Sequence, residues 1–256
     1  MSMIVTITNQ KGGVGKTTTA HAMCCCLVNK GYKVLAIDTD PQTNMTYTSG
    51  IIPGMIDHDL YDVFKGHVPA KEAILHTKAG FDIIPGSLEL TAADMEFAHL
   101  GREYILKEAL EPIQDKYDFI IIDTPPTIGI LVSNALTCSN YVLLPMCAEI
   151  YSLQGLSRLH KLIESVRKHS NSKLCVDGLL LTKYSQRAIV NRQLRDTIEA
   201  AAGQLNTKVY KTPIREAVAV KETQLMQSDI FTEYPTANVT QDYEEFVVEF
   251  LEGKNV

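Results

Sequence analysis

The sequence contains no tryptophan and no apolar run approaching the roughly 20 residues that a membrane-spanning helix needs. Its N-terminus, MSMIVTITNQ, lacks the basic-then-apolar order of a secretory signal, so a cytosolic location is expected. No Cys-x-x-Cys pair occurs among the six cysteines. Cys24, Cys25 and Cys26 are consecutive, and successive helical positions point in different directions, so the three cannot close around one metal. Together with Cys138, Cys147 and Cys175 they read as reduced structural thiols. Internal repeats, low-complexity tracts and linkers rich in Gly, Ser or Pro are missing too, which leaves a single domain over 1–256 as the economical division. A content of 45% hydrophobic and 21% charged residues excludes disorder for the bulk of the chain.

Basic charge is also scarce overall. The formal net charge is −6, which speaks against a nucleic-acid partner until its distribution is considered. Residues 151–221 hold 13 Lys and Arg against 5 Asp and Glu, a net of +8, and the remainder carries −14. Such asymmetry points to an anionic partner for the basic half, and makes 151–221 the candidate DNA-binding face.

The hydrophobic pattern alternates between strand-like and helix-like stretches. Strands are expected over 3–8, 33–37, 81–84, 118–122, 141–144 and 174–181. Helices are expected over 16–29, 91–113, 153–168, 187–202 and 241–251, with 133–137 inside a short one. Ser49 to Asp59 reads as an irregular loop. This order predicts an α/β fold: a mainly parallel, twisted sheet with helices on both faces.

Three elements carry chemistry. KGGVGKTT, at 11–18, lies between the first strand and the first helix, the context of a phosphate-binding loop. Gly12, Gly13 and Gly15 let the backbone approach phosphate without a Cβ in the way, and Val14 lies between them. Their N–H groups and the following helix N-terminus favour anionic oxygen. Lys16 supplies charge for the β- and γ-phosphates, and the Thr17 hydroxyl can bind Mg²⁺. A standard P-loop has glycine six positions before its lysine; here that position is Gln10, and an additional lysine, Lys11, precedes Gly12. The second element is AIDTDPQ, where Asp38 and Asp40 end a strand. One can serve the Mg²⁺ shell and the other the attacking water; a turn signal is the alternative reading. In the third, IIIDTPP, a buried strand delivers Asp123 as a Walker-B acid, and Pro125 and Pro126 force an extended turn able to sense a γ-phosphate.

Together with DTDPQTNMT, TKYSQRAIVNRQL (182–194) and PIREAVAVKETQ (213–224), these motifs resemble the ParA/MinD group of deviant Walker A P-loop ATPases. The resemblance is nearest to the ParA/Soj-type partition ATPases and covers nearly the whole chain. It implies ATP and Mg²⁺ as cofactors, with Lys16, Thr17 and Thr18 on phosphate and metal, and Asp38 and Asp123 around Mg²⁺. Asp40 would position the hydrolytic water. Lys11 would reach across an ATP-bound homodimer to the partner's phosphates, as an arginine finger does. The family binds DNA non-specifically as an ATP dimer and is released when a centromere-binding, ParB-like protein stimulates hydrolysis, so a cytoplasmic, nucleoid-associated protein is expected. Arg187, Arg192, Arg195, Arg215 and Lys221 are the candidate phosphate contacts; each also suits a solvated surface. Thr182–Lys183 and Pro213–Ile214 are candidate neighbours of the adenine.

No helix-turn-helix segment precedes the first strand, so operator-specific repression is not expected. The C-terminal QDYEEFVVEFLEGKNV has an acidic polar face that anionic lipid would repel, so it is expected to pack on the domain rather than on a membrane. Two alternatives stand beside the partition ATPase. One is a MinD-like membrane-positioning switch; the other is a metabolic or metal-cluster enzyme on the same scaffold, such as an amidoligase.

Overall fold

A computed structural model describes residues 2–148, 152–185, 189–252 and 254, without the side chains of 152–155, 189–195 and 204. β1 (Met3–Ile7) runs through the glycine loop into α1 (Lys16–Asn29), and β2 (Val34–Asp38) closes the first unit. After α2 (Asn44–Thr48) and α3 (Leu60–Lys65) come β3 (Leu75–His76) and β4 (Asp82–Ile84). α4 (Ala93–Glu96) and α5 (Ile105–Leu110) lead to β5 (Phe119–Asp123), α6 (Ile130–Cys138) and β6 (Tyr141–Cys147). α7 (Ser152–His169), β7 (Cys175–Thr182), α8 (Ile189–Gln204) and β8 (Lys208–Val209) follow, then α9 (Val218–Met226), α10 (Ile230–Glu233) and α11 (Asn238–Leu251).

The sheet has the order β3-β4-β2-β5-β1-β6-β7-β8. Every pairing is parallel except β3 with β4. The central strands are apolar at nearly every position because both faces are covered; Thr6 and the strand-end Asp38 and Asp123 are the exceptions in β1, β2 and β5. Val5, Ile7, Val34, Ala36, Phe119 and Ile121 join one core with residues of α1 and α11. Their neighbours Ile4, Leu35, Ile37, Ile120 and Ile122 join the opposite core with residues of α3, α5 and α6. This period of two is what a strand dictates. A third core joins β6 and β7 to α6, α7 and α8. β7 and β8 end one side of the sheet, and α7 and α8 pack there.

α1 exposes no residue along Thr19–Leu27, all of which is buried, including the polar Thr19 and His21 and the thiols of Cys24, Cys25 and Cys26. α11 lies across it, with Val239, Tyr243, Phe246, Val247 and Phe250 turned into the core. The apolar side of the acidic C-terminal segment therefore rests on the protein. No helix among the described residues is long and apolar enough to cross a membrane.

One expectation fails. The stretch 91–113 is not a single helix: a 3-10 turn at Leu88–Ala92, α4, a second 3-10 turn at Arg102–Tyr104 and α5 replace it. Gly101 stands at φ 80, a left-handed conformation that interrupts a helix and favours glycine. Asn134 then holds the new start, accepting from Leu106 N at 2.9 Å and donating to the Arg102 carbonyl at 2.9 Å. The short helix expected to contain 133–137 is α6, whose first N–H, that of Ile130, donates to Asp94 at 2.7 Å.

Candidate functional site

Parallel register places Asp123 opposite both Ile7 and Asp38, so β1, β2 and β5 deliver the glycine loop and two carboxylates to one edge of the sheet. The loop is shaped by glycine where the backbone demands it: Gly15 caps α1 at φ 82, ψ 26. Its position is fixed from the sides. The Asn9 carboxamide accepts from Lys11 N at 3.0 Å and donates to the Pro145 carbonyl at 2.8 Å. Thr182, from the end of β7, donates to the Val14 carbonyl at 2.8 Å.

Lys16 is buried, and its ammonium lies 3.4 Å from the Lys11 carbonyl. Burial lowers its pKa, while the carboxylates of Asp123 and Asp40 hold it up. Asp123 is fully buried, and neither carboxyl oxygen has a hydrogen-bond partner among the described residues. Burial, reinforced by Asp38, pushes its pKa well above the usual carboxylate range; the Thr17 hydroxyl, close by but outside hydrogen-bonding geometry, and then the charge of Lys16 oppose this. A buried carboxylate without donors is costly unless a cation meets it. Its two free oxygens, beside the Thr17 hydroxyl, fit Mg²⁺, a hard cation that takes one or two carboxylates and keeps its waters.

Asp38 is held differently. Its Oδ2 accepts from Thr46 N at 2.9 Å and Thr46 Oγ1 at 2.7 Å, and Oδ1 accepts from Asp40 N at 3.1 Å. Burial still pushes its pKa up to about 6. Gly86 backs this arrangement: its N–H donates to Thr46 Oγ1 at 2.9 Å, and a Cβ there would stand 3.0 Å from Asp38 Cγ and from the Asp38 carbonyl. Asp40 turns away from this cluster toward the cavity, with Oδ1 accepting from Gln42 N at 2.9 Å.

These groups open onto a cavity of about 740 Å³, within the range of small-molecule sites. Gly12, Gly13, Gly15, Lys16, Thr17 and Thr18 line it at the phosphate loop. Asp40, Gln42, Asn44, Tyr47, Thr48 and Pro126 also line it. Farther walls come from Thr182, Lys183, the stretch Ile214–Ala217, residues of α9, and Tyr243 of α11. Gln224 of α9 donates to the Thr18 hydroxyl at 3.2 Å, and the Tyr243 and Thr19 hydroxyls lie 3.5 Å apart.

The structure brings together most of the residues singled out from the sequence. Asp38 and Asp123 sit behind the cavity, and Val14 is buried beneath it. Lys11 is half-buried and does not line the cavity. Pro213 is not on the lining, whereas its neighbour Ile214 is. Arg215 and Lys221 both reach the cavity wall. Arg215 forms a two-pronged pair with Asp242, with Nε–Oδ2 and Nη2–Oδ1 each at 2.7 Å. Lys221 is 70% exposed, with Glu216 3.9 Å away. Arg192 and Arg195 lie on α8 with side chains outside the described residues, and Arg187 falls outside them altogether. Sequence reading missed Thr46, Gly86, Gln224 and Asp242. Thr46 stands inside DTDPQTNMT, and Gly86 signals only a turn after β4.

Comparison with known proteins supplies kinship. A family profile described as an AAA domain matches residues 2–176. The sporulation initiation inhibitor protein Soj of Bacillus subtilis is 40% identical over 224 residues, covering 87% of this chain and 87% of Soj. The chromosome partitioning protein ParA of Caulobacter vibrioides is 37% identical over 223 residues, covering 86% of this chain and 82% of that protein. Among solved structures, cobyrinic acid a,c-diamide synthase from Mycobacterium smegmatis with bound ADP and magnesium superposes with a TM-score of 0.86 at 28% identity. That match covers 98% of this chain and 94% of the synthase.

Proposed function

The chain belongs to the ParA/Soj-type P-loop ATPases, and from that premise we propose that it is an ATP-dependent switch for DNA partitioning. In this reading it binds MgATP, dimerises, binds DNA without sequence preference, and lets go when ATP is hydrolysed. The observation that carries it is the convergence on one cavity of the glycine loop, Lys16 and Asp40, with the Asp123 carboxyl, unpartnered among the described residues, buried behind it.

In the proposed mechanism the amides of Gly12–Thr18 and the Lys16 ammonium hold the β- and γ-phosphates. Thr17 and Asp123, with Asp38 behind, would hold Mg²⁺, which would supply positive charge to offset that of the phosphates. Asp40 faces the cavity with one oxygen committed to Gln42 N, which leaves the other to orient the attacking water. Lys11, off the cavity of its own subunit, is the group we assign to the partner's phosphates. Turnover is slow until a centromere-binding, ParB-like protein stimulates it.

The DNA face in this proposal belongs to the basic half of the sequence, 151–221, with Arg187, Arg192 and Arg195 as phosphate contacts and Lys221, on α9 at the cavity wall, as a fourth. Arg215, proposed from sequence alongside them, has its charge matched by Asp242 and has less to offer a phosphate. Plasmid or chromosomal DNA would serve equally, since such contacts read charge rather than bases. The protein would be cytoplasmic and nucleoid-associated. A MinD-like membrane role has little support, because α11 buries its apolar residues in the core.

The test is DNA binding measured with ATP, ADP or no nucleotide across a salt series. ATP-dependent, salt-sensitive binding is expected, and Arg192→Ala with Arg195→Ala should weaken it and flatten the salt slope by about two, at roughly 0.9 per lost phosphate contact. A biosynthetic enzyme is the second reading, favoured by the likeness to the cobyrinic acid a,c-diamide synthase. Absence of DNA binding in every nucleotide state would favour it.

A further inference from the structure

Beyond the phosphate loop, the cavity is walled by the stretch after β8, and this stretch is held from behind by α11. Ile214 continues the register of β7, donating to the Leu181 carbonyl at 2.8 Å and accepting from Tyr184 N at 3.0 Å. Glu249 accepts from Lys211 N at 3.0 Å and Thr212 N at 3.2 Å. Asp242, two turns earlier on the same face of α11, accepts from Arg215 N at 3.0 Å as well as from its guanidinium. The Asp242 side chain is 9% exposed and that of Arg215 48%. One end of the pair is thus fixed in the protein while the other borders the cavity.

A guanidinium held along one edge by two parallel bonds is a flat plate of fixed orientation. Its remaining N–H groups and its face are left for a ligand, and such a plate stacks well on a planar aromatic ring. A nucleotide whose phosphates sit on the glycine loop must extend its nucleoside along the remaining walls, which Arg215 helps to form.

We propose that Asp242 is a positioning residue for nucleoside recognition: it locks Arg215 so that the guanidinium closes on the base and ribose of the bound nucleotide. The proposal rests on the nucleotide-binding reading given above. It assigns Arg215 to the ligand rather than to DNA, and it gives the acidic face of α11 a task at the site.

The test compares Asp242→Asn, Arg215→Gln, their combination and Asp242→Glu in the full chain, with MgATP and inorganic tripolyphosphate as probes. Tripolyphosphate engages the phosphate loop but has no nucleoside. Each single variant should lose about tenfold in MgATP affinity, the scale of one charge-assisted contact. Tripolyphosphate affinity should stay unchanged, the double variant should be no worse than either single one, and Asp242→Glu should recover part of the loss. Unchanged MgATP affinity in the single variants would overturn the proposal. So would a parallel fall for both probes, which would mark a merely structural brace. Should Asp242→Asn fail to fold, Arg215→Gln decides alone, since it alters a half-exposed side chain. A wild-type protein that binds tripolyphosphate and MgATP equally well overturns this proposal only, whereas one that binds neither overturns the nucleotide reading itself.

Discussion

Replacing Thr46 by Val keeps the shape of the side chain and removes one hydroxyl. That hydroxyl donates to Asp38 Oδ2 at 2.7 Å and accepts from Gly86 N at 2.9 Å, all within buried structure. Losing a hydrogen bond to a charged acceptor costs about 1.5–3 kcal/mol, and leaving the Gly86 N–H unsatisfied costs about 1–3 kcal/mol. A loss of about 3–5 kcal/mol is therefore expected when Asp38 is ionised, a large share of the roughly 5–15 kcal/mol typical of a domain. The loss must also depend on pH. Burial raises the Asp38 carboxyl to about 6 in the folded protein, so its contribution to stability is greatest below its unfolded value and declines as pH rises through about 6. Without the Thr46 donor the folded pKa rises further, and the decline continues to higher pH. The deficit of the variant should thus widen above about pH 6, and shrink to about 2–3 kcal/mol near pH 5, where Asp38 is protonated in both proteins. Urea unfolding of both proteins near pH 5 and near pH 8 measures this. A deficit below about 1 kcal/mol near pH 8, or one equal at both pH values, would refute the reasoning.

Lys16→Ala should abolish MgATP binding by calorimetry, and retained tight binding would remove the glycine loop from the site. Asp40→Ala should bind MgATP and dimerise while hydrolysing at least about 100-fold more slowly, as loss of a group handling the water's proton implies; near-normal turnover would take it out of that role. Gly15→Ala should cost about 1–2 kcal/mol in urea unfolding, the strain of a Cβ at a left-handed residue. The nearest side-chain atoms of Thr182 would stand 3.8 Å from that Cβ, an ordinary contact, so strain alone is at work. Unchanged stability there would mean the loop relaxes to another conformation.

The parts of this architecture set by local pattern were legible in the sequence. α1 has the predicted bounds, Lys16–Asn29, because an uninterrupted apolar run follows a glycine turn. β1, β2 and β5 fall within a residue or so of their expected limits, since strands covered on both faces read as nearly continuous apolar runs. Residues 91–113 failed because their helical periodicity outweighed one glycine, and the groups that break the helix, Asn134 and Asp94's contact with Ile130, are distant in sequence or local only after folding. The candidate site divides in the same way. Lys16, Thr17, Asp38, Asp40 and Asp123 announce themselves through short motifs. Thr46, Gly86 and Asp242 act through tertiary contacts that no spacing encodes. Arg215 was read from its charge, and only the structure shows that Asp242, 27 residues later, takes that charge up.

Calorimetric titration of the wild-type chain with a non-hydrolysable ATP analogue, with and without Mg²⁺, bears most directly on the whole account. One nucleotide bound per chain is expected, more tightly when Mg²⁺ is present to meet the Asp123 carboxyl. No detectable binding, or binding indifferent to Mg²⁺, would contradict it.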